Sequence, residues 1–243
     1  MPARFSGIQF REILFILAPI VAVVLAALWG ASQFIEPAPP RTVAIATGGE
    51  TGGYYGFGKR YAQTFKRAGI SLQVVPTKGS VDNIERLKDP KSGIGLALLQ
   101  GGIANAKTAP GIVSLGRVFL EPLWVFYRAA EPADRLGTFA GKRIAIGPDG
   151  SGTRVLAIEL LKANGITQET ATLSPASGKE AVDALKAGQL DAVFLAFAPE
   201  SPVIQALLRD PTVRLLSFSQ AEAYTRRFPY LSRIVLPKGV VDL

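Results

Sequence analysis

The sequence predicts an α/β protein built from two lobes, and two observations carry this prediction. From Thr42 onward, short apolar segments typical of strands alternate with segments typical of amphipathic helices, which is the pattern of a parallel sheet covered by helices. The same alternation begins a second time at Arg143. Two such units joined by extended segments predict a bilobed fold with a cleft between the lobes.

The elements of the two predicted lobes follow from these segments. In the first lobe we predict strands and helices over Thr42–Thr47, Tyr55–Ala68, Leu72–Pro76, Val81–Lys88 and Gly95–Leu99. The apolar runs Val113–Val118 and Leu123–Arg128 precede a second series over Arg143–Gly147, Arg154–Asn164, Lys179–Ala187, Asp191–Ala196, Pro202–Leu208 and Val213–Phe218. The predicted boundaries are 42–120 for lobe 1, 121–212 for lobe 2 and 213–243 for an incomplete return segment toward lobe 1.

The N-terminal segment predicts export from the cytoplasm. No charged residue occurs from Ile13 to Ile35, and this run is long enough to cross a hydrocarbon core of roughly 30 Å. Arg4 and Arg11 precede the run, so the positive-inside rule predicts a cytoplasmic segment 1–12, a transmembrane helix 13–35 and a linker 36–41 on the periplasmic side of the inner membrane. A cleaved signal peptide is the alternative; its apolar region is shorter and ends at a small-x-small site.

Composition restricts the chemistry of the chain. Its 243 residues include neither cysteine nor histidine, which removes thiolate metal sites and every Ser-His or Cys-His nucleophile pair. We therefore expect no enzyme, no metal site and no cofactor. The net charge of +8 comes from scattered lysines and arginines, a pattern that indicates an acidic ligand or a solvated basic surface rather than a nucleic-acid module.

Three glycine-rich loops follow predicted strands. They cover residues 47–55 (TGGETGGYY), 78–83 (KGSVDN) and 147–153 (GPDGSGT). Backbone N–H groups at such strand-to-helix turns can hold a carboxylate or phosphate without a full counter-charge. Each loop alone could equally be a tight turn, or a helix cap at Ser80. Because ligands of open α/β sheets bind at the carboxyl ends of strands, the three loops together predict one anion site in the cleft.

These loops and several further segments resemble the TAXI family, the solute receptors of one class of TRAP transporters. The resemblance is carried in order by ATGGETGGYYGFG, TKGSVDNIERL, LEPLWVFYR, GKRIAIGPDGSGTR, ALKAGQLDAVFLAFAPES and FPYLSRIVLPKGV, from about Arg41 to Gly239. It implies a type II periplasmic-binding fold that closes on a small organic acid, such as a glutamate-like amino acid or a dicarboxylate, for TRAP-type permease subunits. The implied ligand contacts are Thr51, Gly52, Gly53, Tyr54, Ser80, Asn83, Gln100, Ser151, Gly152 and Thr153, with Glu121 as a cleft or hinge residue.

The chain departs from this family in two respects. Family members usually have a cleaved signal, and they continue past the position of Leu243 with elements that complete the first lobe. Two alternatives to a transport receptor follow: a membrane-anchored sensory or scaffold protein on the same fold, or an enzyme on that scaffold. The sequence does not distinguish transport from sensing, and it specifies neither the solute nor the oligomeric state.

Overall fold

A computed structural model describes residues 10–34, 40–50, 52–237 and 239 of the chain. The chain divides into a small unit, Met1–Pro40, and a large unit, Arg41–Leu243. Helix α1 of the small unit covers Phe10–Ser32 and includes Pro19. Within the described residues, no helix combines the length and the apolar character that a membrane span needs. The anchor predicted over 13–35 therefore stays a prediction.

Lobe 1 of the large unit contains a three-stranded parallel sheet in the order β2-β1-β3. Its elements are β1 (Thr42–Ala46), α2 (Gly53–Arg67), β2 (Ser71–Val75), α3 (Ser80–Lys88), a 3-10 turn (Pro90–Ser92) and β3 (Ile94–Ala97). Ile45, Leu72 and Leu98 form its buried centre, against which partly exposed side chains of α2 such as Phe57 pack. Each parallel strand pair needs a helical crossover, so α2 and α3 both begin at the carboxyl edge of the sheet.

Lobe 2 contains a five-stranded mixed sheet in the order β6-β5-β7-β4-β8. Its elements are β4 (Leu123–Tyr127), a 3-10 turn (Leu136–Phe139), β5 (Arg143–Ala145), α4 (Gly152–Ala163), β6 (Thr172–Ser174), α5 (Gly178–Lys186), β7 (Ala192–Ala196), α6 (Pro202–Leu208), β8 (Arg214–Leu215) and α7 (Ala221–Arg227). Strand β4 runs antiparallel to both β7 and β8, whereas β5, β6 and β7 are parallel. Helices α4 and α5 therefore also begin at one edge of their sheet.

The core of lobe 2 covers both faces of its sheet. Along β4, Val125 and Tyr127 face one buried cluster, while Trp124 and Phe126 face the other. Strand β7 alternates in the same way, with Phe194 in the first cluster and its neighbours on either side in the second. Because side chains alternate along a strand, continuous apolar runs such as these are the pattern of a strand buried on both faces.

The structure places the described part of the segment after residue 212 mainly against lobe 2, and the return toward lobe 1 over 213–243 stays a prediction. Strand β8 pairs with the end of β4, and Leu216 lies in the buried core of lobe 2. Phe218 and Tyr224 pack against the same core, so the described part of this segment mainly extends lobe 2. The physical reason is the apolar character of the segment. Its apolar side chains are buried against lobe 2, where β8 adds a strand beside β4. Tyr230 contacts Gly101 and Gly102 of lobe 1.

Candidate ligand-binding cleft

A cavity of about 600 Å³ lies between the two lobes, and we call it the interlobe cleft. The carboxyl ends of β1, β2, β5 and β6 lead into loops at this cleft, and four helices begin beside it. The lining residues come from both lobes: Gly48, Gly49, Gly52, Gly53, Tyr54, Thr77, Lys78, Gly79, Ser80, Gln100, Glu121, Gly147, Pro148, Asp149, Ser151, Gly152, Thr153, Ser177, Gly178 and 194–197.

The four helix N-termini give the cleft a positive electrostatic character. Helices α2, α3, α4 and α5 begin at Gly53, Ser80, Gly152 and Gly178, all of which line the cleft. The first N–H groups of a helix have no partner within the helix, and the aligned peptide dipoles place roughly half a positive charge at that end. The cleft can therefore hold an anionic group with backbone donors from both lobes.

The lobes touch each other at one edge of the cleft through backbone atoms. The N–H of Val81 in lobe 1 donates to the carbonyl of Gly150 in lobe 2 at 3.1 Å. Gly79 has a φ of +125°, and a Cβ atom there would stand 3.1 Å from the Cα of Ser151. Glycine is required at Gly79 for two reasons, since a side chain would strain the backbone and would also separate the lobes.

Tyr54 and Glu121 form a polar pair in the cleft. The Tyr54 hydroxyl donates to Glu121 Oε2 at 2.8 Å. The ring of Tyr54 packs edge-on against Phe119, with ring centroids 5.8 Å apart. Tyr54 lies in the first turn of α2 and Glu121 lies just before β4, so this contact ties a recognition loop of lobe 1 to the chain that enters lobe 2.

Burial dominates the electrostatics of this pair. The pKa of Glu121 is raised because burial penalises its carboxylate, and hydrogen bonds from Tyr54 and Gln100 oppose that effect without cancelling it. The pKa of Tyr54 is raised well beyond its usual range, because of its burial first and then the neighbouring Glu121. Among the ion pairs that the described residues form, none includes Glu121.

Gln100 connects the first lobe to the start of α4. Its backbone N–H donates to the buried hydroxyl of Ser80 at 2.9 Å. Its side chain lies against Gly152, where an added Cβ would collide with Gln100 Oε1 and would stand 2.9 Å from its Cδ. Gln100 Oε1 is buried and has no hydrogen-bond partner among the residues that the structure describes.

Most of the residues implied as ligand contacts do lie at the cleft, and contact with a solute stays a prediction for each of them. Those that line it are Gly52, Gly53, Tyr54, Ser80, Gln100, Glu121, Ser151, Gly152 and Thr153. Thr51 lies outside the described residues.

Asn83 is the described residue of this set that does not line the cleft, and its contact with a solute stays a prediction. Its side chain is fully buried; the amide donates to the carbonyls of Thr47 at 2.6 Å and Leu98 at 2.8 Å, and Oδ1 accepts from the Thr77 hydroxyl at 2.6 Å. Asn83 lies one helical turn after Ser80 on the same buried face of α3, and its side chain is directed toward the sheet. Asn83 therefore fastens α3 to the ends of β1 and β3 behind the cleft.

Ser151 lies at the cleft, and its hydroxyl is already hydrogen-bonded within the protein. It donates to the Pro148 carbonyl at 2.8 Å and accepts from the Arg154 N–H at 3.2 Å, which makes it the N-cap of α4. What the α4 loop offers a ligand is therefore the N–H groups of Gly152 and Thr153 and the Thr153 hydroxyl.

Among the described residues, no three acidic side chains are grouped as a metal ion would need.

Sequence reasoning missed one loop of the cleft. Ser177 and Gly178 follow β6 and open α5, so they repeat the strand-to-helix glycine pattern of the other loops. The signal was present in the letters SPASGKE, but β6 has only three residues and was not recognised as a strand. The end of β7, residues 194–197, also lines the cleft.

The match to a protein family covers nearly the whole large unit. The model of the NMT1-like family matches residues 45–242. The chain belongs to the NMT1-like family. This match includes both lobes and all the loops of the interlobe cleft.

Solved structures of solute-binding proteins share the fold. An ancestral arginine-binding protein bound to arginine is 15% identical, with 73% of this chain and 79% of that one covered and a TM-score of 0.52. The alkanesulfonate-binding protein of Xanthomonas axonopodis pv. citri bound to MOPS is 21% identical, with 80% and 70% covered and a TM-score of 0.51. A histidine-bound substrate-binding protein of an ABC uptake transporter from Streptococcus pneumoniae is 12% identical, with 74% and 75% covered and a TM-score of 0.51.

The chain is shorter than some of these proteins. It spans 64% of the length of the periplasmic aliphatic sulphonate binding protein of Escherichia coli, to which it is 19% identical over 78% of its own residues with a TM-score of 0.49. The three similarities with TM-scores of 0.51 and 0.52 establish the α/β fold of periplasmic binding proteins.

Proposed function

We propose that this protein is an extracytoplasmic solute-binding receptor that captures a small anionic organic solute between its two lobes. The observation that carries the proposal is the convergence of four helix N-termini, two from each lobe, on one cavity of about 600 Å³. Such a cavity has the size of a small-molecule site, and its backbone donors favour a carboxylate or a related anion.

Closure of the two lobes supplies the mechanism. A solute that contacts donors of α2 and α3 in lobe 1 and of α4 and α5 in lobe 2 binds the closed form more tightly than the open form. Binding therefore shifts the population toward the closed form by hinge bending. Within this proposal, the contacts are the N–H groups of Gly53, Gly152 and Gly178 and the side chains of Tyr54 and Thr153.

The resemblance to TAXI receptors supports delivery of the solute to a TRAP-type permease. The absence of charge over Ile13–Ile35 supports an anchor that holds the receptor on the periplasmic side of the inner membrane. Carbonate extraction of membranes tests the anchor, because an anchored chain stays with the membrane fraction and a released chain is washed off. One test distinguishes transport from sensing on the same scaffold. Deletion of the permease abolishes solute uptake if the protein serves transport, and leaves uptake unchanged if it serves sensing.

Calorimetric titration of the full chain, purified in mild detergent, tests solute capture. Amino acids and mono- and dicarboxylates are screened first by thermal shift, where a bound solute raises the melting temperature by mass action. A chain that melts cooperatively and responds to none of these compounds contradicts the proposal. A responder that is also turned over would favour an enzyme on this scaffold.

A charge-introducing pair of variants locates the anion. Thr153→Asp places a carboxylate at the start of α4, which favours the helix itself but repels a bound anion. Thr64→Asp makes the same change on the exposed surface of α2 and serves as the control. We expect at least a tenfold loss of affinity in the first variant only. Equal affinity in both variants would place the anion elsewhere.

A further inference from the structure

The positive charge of the protein is concentrated in lobe 1. Residues 41–120 contain eleven lysines and arginines and four acidic residues, whereas residues 121–212 contain nine basic and eleven acidic residues. Ion pairs increase this difference. Among the described residues, five of the nine basic residues of lobe 2 lie in ion pairs, and two of the eleven in lobe 1 do. Lobe 1 therefore has an excess of positive charge that its own acidic side chains do not balance.

Four of these cations lie on one face of α2, which we call the basic face. Lys59 and Lys66 are seven residues apart, as are Arg60 and Arg67, so the four side chains share one side of the helix. All four are exposed, and α2 contains no acidic residue. None of the four belongs to an ion pair that the described residues form. The opposite face of α2 packs against the buried centre of lobe 1.

An exposed apolar segment, residues 113–120, belongs to the same lobe. Val113, Leu115, Val118 and Leu120 are each more than half exposed to solvent. The segment forms neither a helix nor a strand, and no backbone hydrogen bond joins it to another described residue. A run of exposed large apolar side chains is a feature of interaction surfaces.

Two aromatic contacts join the apolar segment to the basic face. Phe119 stacks on Phe57 of α2, with ring centroids 4.2 Å apart, and the Arg60 guanidinium lies 5.5 Å from the centroid of the same Phe57 ring. The exposed apolar side chains and the cations of the basic face therefore belong to one continuous surface of lobe 1. None of these residues lines the interlobe cleft, so a partner on this surface does not occupy the solute site.

We propose that this surface docks lobe 1 on an anionic membrane. The cations of the basic face then lie at the lipid phosphates, and the apolar side chains of residues 113–120 lie at the boundary between headgroups and acyl chains. Basic residues beside exposed apolar side chains are the combination that binds the interface of anionic bilayers. The repeated phosphates of a lipid surface match point charges that are spread over about 12 Å of helix, and they require no shaped pocket. Lobe 1 is also the lobe that follows the predicted membrane segment in the chain.

Fluorescence quenching in vesicles tests the docking on the full chain. The chain has no cysteine, so Ser114→Cys labels the apolar segment without removing an apolar residue, and Gln168→Cys labels lobe 2 as the control. Each protein is reconstituted with vesicles of phosphatidylcholine or of an equal mixture with phosphatidylglycerol, and both kinds contain a lipid with a quencher on its headgroup. We expect strong quenching at Ser114→Cys in the anionic vesicles alone. The quenching should weaken at about 1 M salt, where the Debye length is about 3 Å.

A matched pair of double variants tests the contribution of charge. Lys59→Gln with Lys66→Gln removes two cations of the basic face, and Lys142→Gln with Lys162→Gln removes two exposed cations of lobe 2. We expect the first double variant to lower the ratio of docked to undocked chains by about 10- to 30-fold in the anionic vesicles. The second should leave this ratio within about twofold, because its cations do not face the lipid.

A second matched pair tests the apolar segment. Leu115→Asp replaces an exposed apolar side chain of residues 113–120 with a carboxylate, and Val235→Asp makes the same kind of change at an exposed position outside the segment. We expect Leu115→Asp to lower the ratio of docked to undocked chains by about tenfold or more, and Val235→Asp to leave it within about twofold.

The results separate the docking from the proposed function. Equal quenching of the two labels, equal quenching in the two kinds of vesicle, or an unchanged ratio in the Lys59→Gln and Lys66→Gln double variant overturns the docking surface. A Ser114→Cys label that stays unquenched in both kinds of vesicle overturns the membrane as the partner and leaves an acidic protein in its place. A chain that docks but binds no solute in detergent keeps the docking surface and loses the receptor function. A chain that docks at low salt but is washed off by carbonate loses the anchor alone.

Discussion

Lobe 1 places three parallel strands over a buried centre of Ile45, Leu72 and Leu98, whereas lobe 2 buries apolar side chains on both faces of five strands. The polar side-chain contacts of the cleft come mainly from lobe 1. Lobe 1 supplies Ser80 and Gln100, and its Tyr54 holds Glu121 at the entry to lobe 2. The comparison indicates a division of roles, in which lobe 2 contributes most of the stability and lobe 1 contributes most of the side-chain recognition.

The largest expected effect is on stability, and it compares one buried isoleucine from each sheet. Ile144 of β5 is fully buried, and Ile45 of β1 is 5% exposed within a smaller core. We expect Ile144→Ala to lower the free energy of unfolding by about 3–5 kcal/mol and Ile45→Ala by about 2–3 kcal/mol. Ile144 is the more completely enclosed of the two, so its truncation leaves a larger cavity. Urea unfolding measures both. A larger loss at Ile45 would reverse the assignment of roles.

The next effect compares two glycines that each begin a helix at the cleft. A Cβ at Gly53 meets nothing within 4 Å, whereas one at Gly152 collides with the Gln100 side chain. Gly152→Ala should therefore displace Gln100 and lower solute affinity at least tenfold, while Gly53→Ala should leave affinity within about twofold. Titration calorimetry distinguishes them. Equal losses would mean that Gln100 is not held by the α4 loop.

Contact between the lobes gives a further comparison, between Gly79 and Gly69. Both have positive φ, +125° and +74°, but a Cβ would meet the other lobe only at Gly79. Both alanine variants should lose about 1 kcal/mol or more of stability from backbone strain, and only Gly79→Ala should also weaken solute binding. If Gly69→Ala weakens binding as much, the lobe contact at Gly79 does not support closure.

The smallest expected effect is a pH dependence centred on Glu121. Burial raises the pKa of Glu121 above its ordinary value of 4.5, so the folded state holds the proton more tightly than the unfolded state. The wild-type chain therefore loses stability relative to Glu121→Gln as the pH rises from about 4.5 through the raised pKa. Urea unfolding across this range measures the difference, and Glu85→Gln, which removes an exposed carboxylate of α3, is the control. A difference that is constant with pH would contradict the burial of an unpaired carboxylate.

The sequence predicted those features that depend on local pattern. Strands β1, β3 and β7 are short, mostly apolar runs, and β2 and β5 have apolar residues followed by a loop that contains glycine. These loops lie at the carboxyl ends of parallel strands, which is where the cleft forms. The features that the sequence did not predict depend on non-local contacts or on very short elements. The Asn83 amide is held by backbone carbonyls at the ends of β1 and β3, and β8 pairs with β4, which lies far earlier in the chain. Strand β6 has only three residues, too few for a recognisable pattern.

The most direct test of the account measures whether a solute closes the lobes. The chain has no cysteine, so Lys66→Cys on α2 and Lys162→Cys on α4 place one spin label on each lobe without further changes. Electron paramagnetic resonance then gives the distance between the labels with and without the solute that binds most tightly. The account predicts one shorter and narrower distance distribution on binding, and loss of that shift in Thr153→Asp at the same solute concentration. A distribution that does not change when calorimetry shows the site to be saturated would contradict it.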